Sequence, residues 1–135
     1  MRQASHRGIT MVEIVIALVL FLGAGGGIVA AHVYSHRLSD DATNAMRAVN
    51  DLDDLMECVQ ATPFANLPAA FPDGVVDGTG NVYEAMVGGY TLNGEQIVVT
   101  YPSQASGRLE MLVTVSWLQQ GRLRSQRSSV VRTSG

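Results

Sequence analysis

Residues 1–31, MRQASHRGITMVEIVIALVLFLGAGGGIVAA, decide how the rest of the chain is read. A short head carrying Arg2 and Arg7 meets an apolar run with one carboxylate, Glu13, near its start, and no charged residue occurs from Ile14 to Ala31. With Ile9–Val12 included, the run reaches the length of about 20 mostly apolar residues that an α-helix needs to cross a bilayer. The arginines of the head precede the run, whereas His32, His36 and Arg37 beyond it are soon followed by Asp40 and Asp41. Basic residues are retained on the cytoplasmic side, so the head is expected inside and the remainder outside. A cleaved secretory signal, with Val29-Ala30-Ala31 as its small-residue site, would need a shorter apolar core of about 7–15 residues. Glu13 is the awkward residue under a plain anchor. An acid at the centre of a membrane helix costs about 2.5–3.5 kcal/mol, less near the interface, and ordinarily has a partner.

Gly8, then Ile9-Thr10-Met11-Val12-Glu13, then an unbroken apolar stretch resembles the type IV prepilin signature, shared by pilins and the pseudopilins of type II secretion. The resemblance implies a cut after Gly8 by a prepilin peptidase that also N-methylates Ile9, the new first residue. It implies further that Glu13 pairs with the N-terminal amine of a neighbouring subunit. The physical argument agrees: a carboxylate and a protonated amine stranded in lipid gain most by meeting, and a staggered neighbour offers that geometry. The chain departs from the family in having Ile9 where Phe or Met is common, and no proline before Pro63. Gly23, Gly25, Gly26 and Gly27 are expected to fill the proline's place, since each glycine weakens a helix interior by about 1 kcal/mol relative to alanine. The competing expectation is that these small residues let helices pack closely.

Beyond the apolar run, Leu38, Ala42, Ala45/Met46, Val49, Leu52, Met56 and Val59 recur at steps of three and four, the helical period. Pro63 stops the pattern and pushes Thr62 out of helical geometry. One helix over about residues 9–61 is therefore expected, reaching about 80 Å at 1.5 Å per residue. On its outer half Asp51, Asp53, Asp54 and Glu57 read as a solvated face, with Arg47 and Asp51 an i, i+4 pair. His32, His36 and Asp40 share a face at metal-ligand spacing, but no further ligand accompanies them in the sequence and no metal is expected. Cys58, the single cysteine, excludes an internal disulfide and reads as a small buried residue.

After Pro63 the texture changes to turns and short alternating runs. Pro63, Pro68, Pro72 and Asp73-Gly74 mark an irregular connection, with Phe64, Leu67 and Phe71 as anchors on the helix. Strands are expected around Val82–Val87, Tyr90–Leu92, Gln96–Tyr101, Leu109–Trp117 and Leu123–Val131. Asn93-Gly94 reads as a two-residue hairpin between Tyr90–Leu92 and Glu95–Ile97. Leu109, Met111, Val113, Val115 and Trp117 alternate with Glu110, Leu112, Thr114 and Ser116, so one face is buried, and Gln119-Gln120-Gly121 turns the chain back. The expected architecture is α+β and pilin-like: one long N-terminal helix packed on a small antiparallel sheet.

Several function classes lose support. Of nine arginines, the only strongly basic residues, two precede Gly8, leaving seven against twelve acids and a net charge of −5 for the mature chain. Arg122, Arg124 and Arg127 form a basic strip, yet without interleaved aromatics, so nucleic acid is not expected as a partner. Asp73–Asn81 is Gly-rich with acids and an amide, but the EF-hand order and its closing Glu are absent, which favours a plain loop over a calcium site. There is no believable nucleophile elbow, phosphate loop or paired metal motif. No catalytic residue and no cofactor are assigned.

The expected organisation is a basic leader over 1–8, a transmembrane and filament-core helix over 9–37, an amphipathic continuation over 38–62 and a globular sheet region over 63–135. The expected function is that of a structural subunit, a minor pilin or pseudopilin, of a type IV pilus or type II secretion pseudopilus. The absence of a cysteine pair and the VTVSW strand before an Arg-rich last strand resemble minor pilins and pseudopilins more than major pilins. Its partners would be the prepilin peptidase/N-methyltransferase, other subunits and the inner membrane, with the C-terminal region in the periplasm. The alternatives are a tip-displayed binding subunit, such as an adhesin or DNA-uptake pilin, and a plain membrane-anchored periplasmic module.

Overall fold

The computed structural model describes residues 10–75 and 82–134. Helix α1 spans Met11–Ala61 without interruption. A 3-10 turn (Phe64–Asn66), α2 (Leu67–Ala70) and α3 (Val82–Met86) follow, and then β1 (Gln96–Ala105), β2 (Arg108–Gln119) and β3 (Arg122–Thr133). The three strands form one antiparallel sheet in the order β1-β2-β3. The expected α+β layout, a long N-terminal helix packed on a small antiparallel sheet, is therefore what the chain adopts. Two compact units divide at residue 40: unit 1 is Met1–Asp40 and unit 2 is Asp41–Gly135.

Unit 1 is the first part of α1. Its apolar side chains, from Met11 and Val12 through Phe21 to Val29 and Tyr34, are exposed. The helix is long and apolar enough there to cross a membrane, and none of the most apolar window is buried.

Unit 2 has a core of its own. Central strand β2 alternates as its sequence requires, with Leu109, Met111, Val113, Val115 and Trp117 inward. Ile97 and Val99 of β1 join them, and α1 closes the core with Ala48, Leu52, Leu55, Met56 and Val59. The buried stripe of α1 keeps Leu52, Met56 and Val59 of the expected positions but differs at the others. Leu38, Met46 and Val49 are exposed, whereas Ala48, Asp51 and Leu55 are buried. Ala48 and Leu55 are seven residues apart, two helical turns, and so share one face of the helix. Cys58 packs half-buried at the core's margin.

The connection after Pro63 is pinned to β1. Leu67 and Phe71 are fully buried and Phe64 partly so, the three expected anchors. The Tyr101 hydroxyl donates to the carbonyls of Phe71 (2.7 Å) and Leu67 (3.3 Å). Tyr101 N–H donates to Asp73 Oδ1 at 3.0 Å, and Gly74 N–H to the Val99 carbonyl at 2.8 Å. Burial, and then the charge of Asp73, push the Tyr101 phenol up. A register shift between Thr100 and Ser103 bulges β1 at Pro102, a residue that an edge strand tolerates because its missing N–H need not join a ladder.

Two expected strands are not strands. Val82–Met86 is helical: Tyr83 and Val87 are buried at i, i+4, and Ala85, inward under a two-residue alternation, is exposed. Gly88 at φ +76° ends the helix, and Gly89 N–H reaches back to the Glu84 carbonyl at 2.8 Å, the six-to-one bond of a glycine-terminated helix. Tyr90–Leu92 forms no ladder because its amides have another acceptor: Thr91 N–H and Leu92 N–H both donate to Glu95 Oε2, at 3.0 and 2.9 Å. Asn93-Gly94 is thus a carboxylate-capped turn, and the Asn93 carbonyl accepts from Leu118 N–H at 2.8 Å. The two-residue hairpin lies instead at Gln120-Gly121, between paired Gln119 and Arg122. Both loop residues have positive φ, 51° and 74°, as a type I′ turn requires.

Helix α1 ends against β3. Thr62 Oγ1 donates to the Cys58 carbonyl at 2.7 Å, and an Arg132 Nη donates to the Thr62 carbonyl at 3.1 Å. The last turn of α1 has no basic residue of its own, so the strand supplies the cation that a helix C-terminus favours.

Candidate functional site

The head of α1 is built around Thr10 and Glu13. Thr10 precedes the first helical residue, and its carbonyl accepts the first helical bond, from Ile14 N–H at 3.3 Å. Glu13 N–H donates to Thr10 Oγ1 at 3.3 Å, while Thr10 N–H and Thr10 Oγ1 donate to Glu13 Oε2 at 3.0 and 3.3 Å. Thr10 and Glu13 therefore form a capping box, in which each side chain satisfies a backbone donor of the other. The carboxylate also sits where the positive end of the helix dipole favours it. This second role of Glu13 was readable in the Thr-x-x-Glu spacing. Both bonds that Glu13 accepts from Thr10 go to Oε2. Glu13 accordingly has a partner inside its own chain.

Gly8 and Ile9, the expected processing site, lie outside the described residues, as does the rest of the leader. Gly23, Gly25, Gly26 and Gly27 lie within the uninterrupted helix, and a Cβ at any of them would meet nothing within 4 Å. No contact within the chain therefore requires glycine there. The reason for four glycines in five residues lies either in backbone freedom or in something that approaches from outside.

His32, His36 and Asp40 are exposed on α1, and among the described residues no three His, Cys, Asp or Glu side chains converge as a metal site. Residues 76–81 of the Asp73–Asn81 loop lie outside the described residues. Within the loop's described start, Asp73 spends its Oδ1 on the Tyr101 amide. Arg122, Arg124 and Arg127 do not form one strip. Arg124 is registered opposite Trp117 and Arg127 opposite Thr114, so alternation sends them to opposite faces of the sheet.

Unit 2 holds two polar arrangements that sequence spacing did not bring together. Gln119, nearly buried, accepts from Trp117 Nε1–H at 3.1 Å and donates through Nε2 to Asp41 Oδ1. With Ala45, Arg124, Ser125 and Gln126 these residues line an open cavity of about 240 Å³ between the start of the unit's helix and the β2–β3 end of the sheet. The other arrangement corrects the reading of the acidic run. Asp53, Asp54 and Glu57 are exposed as expected of a solvated face, but Asp51 is buried, and its carboxyl lies against that of Glu95. Burial first, then the hydrogen bond with Glu95 and the charges of Glu95 and Asp54, push the Asp51 carboxyl up to about 7. Where a solvated partner of Arg47 was expected, Asp51 is turned inward, with Oδ2 buried.

Comparison with protein-family models, with curated proteins and with solved structures found no match.

Proposed function

We propose that this chain is a filament-forming subunit of the type IV prepilin class, a minor pilin or a pseudopilin of type II secretion. In this reading a prepilin peptidase cleaves after Gly8 and methylates Ile9. The mature chain waits in the inner membrane, head toward the cytoplasm and unit 2 in the periplasm, then enters a filament through the same apolar helix. Its role is structural and not catalytic.

One observation carries the proposal: an apolar helical stretch that the chain itself leaves unburied, headed by a single carboxylate five residues after a glycine. A membrane anchor explains the apolar stretch alone. The carboxylate is explained by a second function at the same place, the capture of a neighbour's terminal amine, which would set subunit register. The capping box is compatible with this because it holds the Glu13 side chain at the helix start through Oε2, and Oε1 takes no part in it. The four glycines would serve the change of surroundings, letting the segment loosen as it passes from lipid to filament. Fully protected amides from Gly23 to Gly27 in an assembled fibre would count against that part.

The deciding experiment is mass spectrometry of the mature N-terminus after co-expression with a prepilin peptidase. N-methylated Ile9 is the expected result. A chain that begins at Met1, or at His32 after signal cleavage, overturns the proposal.

A further inference from the structure

Unit 2 buries two acids side by side. Asp51, from α1, and Glu95, from the turn that enters β1, are each 7% exposed. Glu95 Oε2 is satisfied by two backbone amides. Asp51 Oδ2 and Glu95 Oε1 are buried with no donor, although the two carboxyls are within hydrogen-bonding reach of each other. An ionised carboxylate only accepts hydrogen bonds, so two ionised groups in this position would repel each other and leave both oxygens unsatisfied. A single proton removes both problems, since one carboxyl then donates to the other. Among the described residues, the further charge acting on Asp51 is that of Asp54, on the same helix, which is of like sign and supplies no counter-charge.

We propose that Asp51 and Glu95 share one proton and that this proton latches the outer half of α1 to the turn entering β1, making unit 2 pH-sensitive. The proton belongs to Asp51, because the charge on Glu95 is already held by the Thr91 and Leu92 amides. The sense of the dependence follows from linkage. The unfolded chain releases the Asp51 proton near its ordinary value of 3.8, whereas the folded chain keeps it to about 7. The contribution is therefore most favourable at and below about pH 4, declines as the pH rises toward 7, and is level above that, where both states are ionised. The latch lies wholly within unit 2 and does not depend on the filament reading.

The test uses the full chain in detergent micelles. Asp51→Asn keeps the size and supplies a permanent N–H donor in place of the shared proton. Its melting temperature should match the parent's near pH 4 and exceed it by a margin that grows to about pH 7 and then holds. An equal margin at every pH overturns the proposal. Independently of whether the variant folds, the ¹³C carboxyl resonance of Asp51 in the parent should titrate near neutrality, and a midpoint near 4 would sink the idea. Millimolar calcium that raises the melting temperature of the parent but not of Asp51→Asn would make the pair a cation site and replace the proton.

Discussion

The first and second halves of α1 have the same backbone and opposite surroundings. From Ile14 to Ala31 the helix is apolar on all sides and its large side chains are exposed. From Ala48 to Val59 it is amphipathic, and its buried stripe is matched by β1, β2 and the connecting segment. A helix that is apolar all round needs a covering supplied from elsewhere, while an amphipathic one is covered by its own fold. The comparison teaches that stability and function are separable along one element. Substitutions in the second half should be read in the melting of unit 2, and substitutions in the first half in what the chain associates with.

The sharpest break of that comparison is Phe71→Ala. Phe71 is fully buried and its ring stacks on Tyr83 with centroids 6.2 Å apart, so its loss should destabilise unit 2 by about 3–5 kcal/mol. Thermal unfolding in micelles would show this, with membrane partition unchanged. The converse is Val19→Arg in the exposed half, expected to weaken membrane partition by about 2.5–3.5 kcal/mol while the melting of unit 2 stays where it was. A shifted melting temperature would mean that the two halves are coupled. Thr10→Ala removes one arm of the capping box and should cost about 1 kcal/mol of helix-start stability, visible as faster amide exchange over Met11–Ile14 only. It also sharpens the role of Glu13. If Glu13→Ala abolishes filament incorporation while Thr10→Ala spares it, capture of a neighbour outweighs capping; equal losses would assign Glu13 to the cap. The smallest effect expected is at Gln120, the single non-glycine with positive φ among the described residues. Asn tolerates that region better, so Gln120→Asn should stabilise the β2–β3 hairpin by no more than about 1 kcal/mol.

Legibility followed the range of the interactions involved. The long helix, its stop at Pro63, the alternation of β2 and the turn before Arg122 depend on neighbours a few residues apart, and each was present in the local pattern. The capping box at the head of α1 is equally local, its two members three residues apart. Val82–Met86 misled because a five-residue apolar run fits either period, and the glycines that terminate it act as a helix stop only once the helix exists. Tyr90–Leu92 misled because its amides are taken by a side chain, Glu95, which competes with a ladder without altering the turn signal of Asn93-Gly94.

The amino-acid sequence by itself determined where the chain is apolar, where it is helical and where a lone carboxylate heads an uncharged span, because those properties belong to composition and period. Only the tertiary structure decided which face of the outer helix is buried. The sheet, not the helix, selects that face: Val49 is left exposed, whereas Asp51 is buried beside Leu52. That packing turned one acid of an apparently solvated run into half of a buried carboxyl pair. Its partner is 44 positions away in the sequence, and no spacing rule joins residues that meet only when a helix and a sheet close on each other.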